Sequence, residues 1–279
     1  MSTLVAFVLA LGVALGLWPL LLSTLSTPIF ERENFRHRRL PVAAGLVIVL
    51  AVLVGALPYS LVVLWSDDGP TIGRSITSAV LAAVGFGLFG LLDDLAGSTA
   101  RRGYRGHVGA LRQGELTTGL LKLVGGGLVA VVVAWPWAEG SLPDLVGAAL
   151  VVALAANLGN LLDRAPGRVG KVSLLAIVAL AVTSHLAPEL TGPALVGGAG
   201  VGMLWPDLRE RCMLGDTGSN VLGAGAGLGL VATTSPGTWW VGVLVLAALN
   251  LVSEAVSFSD LIGRTPPLRW LDRLGAPPR

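Results

Sequence analysis

Four carboxylates occupy positions where this chain can least accommodate a charge. Asp93 and Asp94 stand side by side in Gly90-Leu91-Leu92-Asp93-Asp94. Asp163 closes Asn157-Leu158-Gly159-Asn160-Leu161-Leu162-Asp163, and Asp216 lies in Met213-Leu214-Gly215-Asp216-Thr217-Gly218-Ser219-Asn220. Each abuts a run of apolar residues, where a charge is costly unless it is paired or binds a cation. Adjacent carboxylates repel each other unless a proton or a metal intervenes. Oxygen ligands with no His or Cys cluster suit Mg²⁺ or Mn²⁺ rather than zinc, and Mg²⁺ takes one or two carboxylates and completes its shell with water and phosphates. Asn157, Asn160 and Asp163 recur every third residue, so a helix presents all three on one face. Such a face can hydrogen-bond a nucleotide or sugar and hold a metal, or the two amides can join helices. Gly218 and Ser219 follow Asp216 at a helix N-terminus that suits a phosphate, or forms an ordinary N-cap. Lys122, one turn inside an apolar stretch, either snorkels to the surface or is functional.

The elements that must position these groups follow from composition. Of 279 residues, 53% are hydrophobic and 13% charged, about half the charge of a soluble domain. Water cannot be the main solvent of such a surface. The net charge of +2 gives no footprint for nucleic acid, and the single cysteine, Cys212, excludes an internal disulfide and reads as an inert small side chain. The fold class expected is all-α: a polytopic integral membrane protein. Nine stretches approach the length of a spanning helix. They are Thr3–Leu25, Val42–Trp65, Ser75–Leu92, Thr117–Trp137, Leu145–Leu162, Val172–Leu186, Pro193–Leu204, Asn220–Thr234 and Trp239–Val256. The first lacks a basic n-region and a cleavage site, so it reads as a retained helix.

With the N-terminus outside, every Lys and Arg but Arg74 falls on the cytoplasmic side, which fixes orientation. That topology rests on basic residues alone, yet it gathers all four carboxylates at the cytoplasmic face. Trp65, Trp137, Trp239 and Trp240 read as interfacial anchors. Gly12 and Gly16, like the glycine runs at 197–202 and 223–229, read as helix-packing faces. His37 and His185 read as structural. Residues 1–279 form a single transmembrane domain, and 257–279 a cytoplasmic amphipathic tail carrying Arg264, Arg269 and Arg273 beside Leu268, Trp270 and Leu271. Pro266 and Pro267 forbid one continuous helix there.

At this point the chain resembles the polyprenyl-phosphate N-acetylhexosamine-1-phosphate transferases, a family that includes MraY-type and WecA-type enzymes. The likeness runs through nearly the whole chain, motif by motif. Residues 34–45 resemble the first cytoplasmic loop, with Ala44 at the first of two turn glycines. Gly90-Leu91-Leu92-Asp93-Asp94 resembles the aspartate-rich motif, Lys122 the lysine that follows, Asn157 to Asp163 the N-A-x-N-x-x-D motif, and 212–219 the F-x-G-D-x-G-S motif. The chain departs from the pattern after Asp163, where Pro166 replaces a second acid. It departs again after Asp272-Arg273, where no histidine-rich loop follows.

The resemblance implies Mg²⁺-dependent transfer of a sugar-1-phosphate from a UDP-sugar to polyprenyl (undecaprenyl) phosphate at the cytoplasmic face of the cell membrane. UMP would be released, and the product would serve cell-wall and peptidoglycan synthesis. It implies catalytic roles for Asp93, Asp94 and Asp163, substrate contacts for Lys122, Asn157, Asn160, Gly218 and Ser219, and a metal on Asp216 and Asp94. Partners expected are the two substrates, membrane lipid and a second copy in a homodimer, with no nucleic acid. Two rivals remain open: a non-catalytic scaffold or carrier-lipid binder, and a secondary transporter. The first predicts nucleotide binding without turnover. The second predicts midplane polar sites in repeated halves, whereas these acids lie at one face.

Overall fold

The computed structural model describes residues 2–34, 36–96 and 118–276. The basic loop expected after Asp94 lies outside the described residues. A long helix falls on each of the nine apolar stretches: α1 Ser2–Leu25, α2 Leu46–Trp65, α3 Gly69–Ala96, α4 Thr118–Ala134, α5 Leu142–Leu162, α6 Arg168–Thr183, α7 Thr191–Leu208, α8 Gly215–Thr233 and α9 Pro236–Ala255. Two short helices follow, α10 Phe258–Arg264 and α11 Pro266–Arg273. A short antiparallel hairpin, β1 Glu31–Glu33 with β2 Arg39–Pro41, separates α1 from α2.

The chain is an all-α polytopic membrane protein. Helices α1 to α5 and α9 are long and apolar enough to cross a membrane. The other three, α6 to α8, are shorter or richer in glycine. For α7 and α8 the reason is position: most of their residues are buried against protein, so small side chains that allow close packing replace large apolar ones. The outer helices carry the reverse pattern. Leu57 is 67% exposed, Leu244 71% and Leu251 72%, an apolar surface suited to lipid tails.

The glycine runs at 197–202 and 223–229 pack against neighbouring helices as expected, but one small-residue expectation changes. Gly12 and Gly16 face open space. The packing face of α1 is instead Ala6, Ala10 and Ala14, fully buried, and Gly202 of α7 lies against Ala14. Trp65 is 85% exposed, as an interfacial anchor should be, but Trp137 and Trp239 turn inward. Trp137 donates its indole N–H to Ser78 Oγ at 3.1 Å and carries the Arg74 guanidinium 4.3 Å from its ring centroid. Cation–π contact thus houses the one basic residue that breaks the loop asymmetry.

The N-terminus of α8 is the hub. Gly45 of the loop before α2 faces Gly218, and Gly90 of α3 faces the Asp216 main chain. The Gly45 amide donates to the Leu214 carbonyl at 3.0 Å, the Ala44 amide to Met213 at 3.2 Å, and the Met213 amide back to Pro41 at 2.7 Å. A Cβ on Gly45 would collide with the main-chain N and Cα of Gly218. Main chain cannot rotate away, so Gly45→Val is expected to destabilise the protein by about 3 kcal/mol. Gly16→Ala, which meets nothing, should leave the melting temperature in detergent unchanged.

Candidate active site

Asp216 sits in the first turn of α8, just after Gly215, whose φ of +66° is a conformation that favours glycine. Its carboxylate is the convergence point of three helices. Lys122 of α4 forms an ion pair with Asp216 Oδ2. Asp93 at the end of α3 reaches the same carboxylate, as does Asn160 of α5, and Asp93 also reaches the Thr118 hydroxyl. Two carboxylates in contact require a proton or a cation between them. The half-buried Lys122 ammonium answers part of that demand.

Asp94 does something different from its neighbour. Its Oδ1 accepts from the Asp216 amide at 2.9 Å, and its Oδ2 accepts from the Thr217 amide at 3.0 Å and the Thr217 hydroxyl at 2.6 Å. Asp94 therefore caps α8 from another helix, satisfying amides that have no partner within α8 and placing its charge at the positive helix end. This revises the expected phosphate cradle. The first amides of α8 are already bound to Asp94, and Gly218 and Ser219 are buried at helix contacts, with Ser219 Oγ unpartnered. Neither lines the two cavities that meet at the cluster. Of the two adjacent aspartates it is Asp93, and not Asp94, that faces Asp216 side chain to side chain.

The end of α3 is itself tied down. Arg32 of β1 donates to the Leu95 carbonyl at 3.0 Å, a favourable cation at a helix C-terminus. The hairpin is held in turn by Glu210, which lies 3.1 Å from Arg36 and 3.9 Å from Arg38 with its own side chain 2% exposed.

Two cavities meet at the cluster. The larger, about 860 Å³, has Asp93, Lys122, Asn160, Asp163 and Asp216 on its polar side. Phe86, Phe89, Leu123, Leu150 and Leu154 form its apolar walls. Asn157 lines it too, but its amide donates to Asn250 Oδ1 of α9 at 2.6 Å, so helix joining is one of its roles. The smaller cavity, about 300 Å³, lies behind, between the hairpin and Asp94, Asp163, Asp207 and Glu210. Asp163 caps α5 and faces both. Loss of solvent around it, then the charges of Asp207, Asp216 and Asp94, push its carboxyl well above the usual carboxylate range.

Sequence reasoning passed over three residues here. Arg164 lines both cavities beside Asp163 and brings a positive charge to them. Asp207 and Glu210, 4% and 6% exposed, end α7. Asp207 Oδ2 accepts from the Gly167 amide at 2.8 Å, so an acid does stand beside the 164–167 loop, contributed by α7. Their signal was Pro206-Asp207-Leu208-Arg209-Glu210 at the end of a glycine-rich apolar stretch. Cys212 is buried, and burial pushes its thiol well up. A maleimide should label it only after denaturation, read by mass spectrometry.

Among the described residues no three His, Cys, Asp or Glu side chains gather closely enough to hold a metal by themselves. Mg²⁺ needs only one or two carboxylates when phosphates and water fill its shell. The all-oxygen pair Asp93 and Asp216, held carboxylate to carboxylate, fits that demand.

No protein-family model matches the chain. It is 32% identical over 202 residues to the phospho-N-acetylmuramoyl-pentapeptide-transferase of Moorella thermoacetica, a match covering 67% of this chain and 63% of that protein's length. It is 27% identical over 320 aligned positions to the protein of the same name from Pelotomaculum thermopropionicum, covering 97% of this chain and 89% of the relative.

Proposed function

From the family of the phospho-N-acetylmuramoyl-pentapeptide-transferases, to which the chain belongs as a distant member, we propose that it is a polyprenyl-phosphate sugar-1-phosphate transferase. The donor is a UDP-sugar of the N-acetylhexosamine class, the acceptor is a polyprenyl phosphate, and the products are a polyprenyl-diphospho-sugar and UMP. The carrying observation is the shape of the larger cavity. Its polar lining holds a lysine, an arginine, three asparagines and three carboxylates, while the rest of its wall is apolar. An amphiphile with a phosphate head and a hydrocarbon tail satisfies both parts.

The roles follow from the contacts. Lys122 balances the Asp93–Asp216 pair and can bind a phosphate oxygen that approaches it. Arg164, at the junction of the two cavities, offers a second cation to the diphosphate. Asn160 holds the Asp216 carboxylate and keeps an amide facing the groove. Asp163, which faces both cavities, suits positioning the lipid phosphate and accepting its proton. Bound at Asp216 and Asp93, Mg²⁺ would neutralise charge on the diphosphate and on the departing UMP. Attack of a lipid phosphate oxygen on the β-phosphorus breaks the bond between the two phosphoryl groups and leaves UMP. The concentration of basic residues on the loops at this end supports a cytoplasmic site and an outside N-terminus.

Purified protein given Mg²⁺, polyprenyl phosphate and a panel of UDP-sugars is expected to release UMP. EDTA should stop the release and added Mg²⁺ restore it. Nucleotide binding with no UMP from any sugar would favour a non-catalytic binder instead.

A further inference from the structure

The C-terminal helices carry a feature that catalysis does not use. Helix α9 ends at Ala255 and α10 begins at Phe258, so α10 must emerge at the membrane face where α9 stops. Neither α10 nor α11 buries a residue. Leu261 is 45% exposed, Trp270 66% and Leu274 50%, and Arg264, Arg269 and Arg273 lie among them. An apolar and basic surface at a bilayer edge complements lipid tails and anionic headgroups.

The surface is held rigidly. Arg168 at the start of α6 is 4% exposed and grips Asp272 at 2.7 and 3.2 Å and Ser259 Oγ at 3.0 Å. Lys171, one turn on, donates to the carbonyls of Leu271, Asp272 and Leu274 at 3.0, 2.5 and 3.3 Å, capping α11. Two cations buried at the positive end of α6 are unfavourable alone, so the tail is their necessary partner. With Asp272 thus neutralised, Arg264, Arg269 and Arg273 outweigh the exposed Asp260, and the outward charge of the tail is basic. The far end of the tail adds to the same face. Gly275 lies beside Leu208, next to Arg209, whose guanidinium stacks 4.2 Å over the half-exposed Trp205 ring.

We propose that α10, α11 and the Trp205–Arg209 pair form a docking surface for the bilayer itself, with its arginines on anionic headgroups. The first turn of α6, which anchors this surface, directly continues the 163–167 loop, so lipid contact is mechanically joined to the rim of the smaller cavity.

Full-length protein with Cys212→Ala and either Leu261→Cys or Leu274→Cys, labelled with bimane, tests this in nanodiscs of phosphatidylcholine with or without phosphatidylglycerol. The two positions guard against one variant failing to fold. Phosphatidylglycerol should blue-shift the emission, shield it from iodide and allow quenching by headgroup-proximal spin-labelled lipid. Each arginine should contribute about fivefold to docking, so replacing Arg264, Arg269 and Arg273 by Gln should weaken the phosphatidylglycerol response about a hundredfold. High salt should act in the same direction. Iodide access independent of lipid charge would overturn the proposal. So would shielding that follows the number of copies per disc, which would indicate a second chain as the occupant. The readout is docking rather than turnover, so its failure and that of the transferase reading are distinguishable.

Discussion

Asp216→Asn is expected to lower UMP release on the order of a thousandfold while leaving the protein folded. Removing one preorganised electrostatic partner of a transition state costs about that much elsewhere. Here one carboxylate serves several groups at once: it pairs with Lys122 and meets Asp93 and Asn160. The amide is isosteric, so the main-chain bond from Asp216 to Asp94 survives. What disappears is the negative charge that holds Lys122 and, with Asp93, suits a divalent cation. Detergent melting temperature within a degree or two of the parent, together with loss of UMP release, is the expected pair of results. A folded variant with near-parental release would remove Asp216 from the reaction.

The second large effect falls on stability. Asp94→Ala removes the acceptor for two amides and one hydroxyl at the head of α8. It should destabilise the protein by about 3 kcal/mol or more, because buried donors lose a charged partner as well as a cap. Asp94→Asn keeps one acceptor oxygen, and Asn caps helices about as well as Asp. This variant should fold and retain measurable UMP release, unlike Asp216→Asn. Melting curves and initial rates on the four proteins check both points. Equal inactivity of Asp94→Asn and Asp216→Asn, with both folded, would return Asp94 to the chemistry.

The carboxylates were legible in the sequence because a membrane chain tolerates so few of them. Asp93, Asp163 and Asp216 announced themselves by abutting apolar runs, and basic loop residues alone put them on one face. Lys122 was visible as a choice between two roles, and in the structure it pairs with Asp216. Their division of labour was not legible. Nothing in Gly90-Leu91-Leu92-Asp93-Asp94 says which aspartate faces the groove and which caps α8. That depends on the close approach of α3 to the Asp216 main chain at Gly90, a contact between residues far apart in sequence. The same holds for Asp207, Glu210 and Arg168. In sequence each is one more charge near a loop, and each is buried where a distant hairpin, loop or tail comes to meet it. Small residues misled in the opposite sense. Gly12 and Gly16 have packing spacing, but three alanines on another face of α1 carry the contact.

The reading rests most directly on one bond change, the transfer of phosphorus together with sugar. A UDP-sugar labelled with ³²P at the β-phosphate, incubated with the protein, Mg²⁺ and polyprenyl phosphate, reports that change alone. The label should move into the lipid-extractable fraction in step with UMP appearing in the aqueous one. Label that stays aqueous as UDP while sugar enters the lipid would show transfer of the sugar without its phosphate, and would contradict the mechanism.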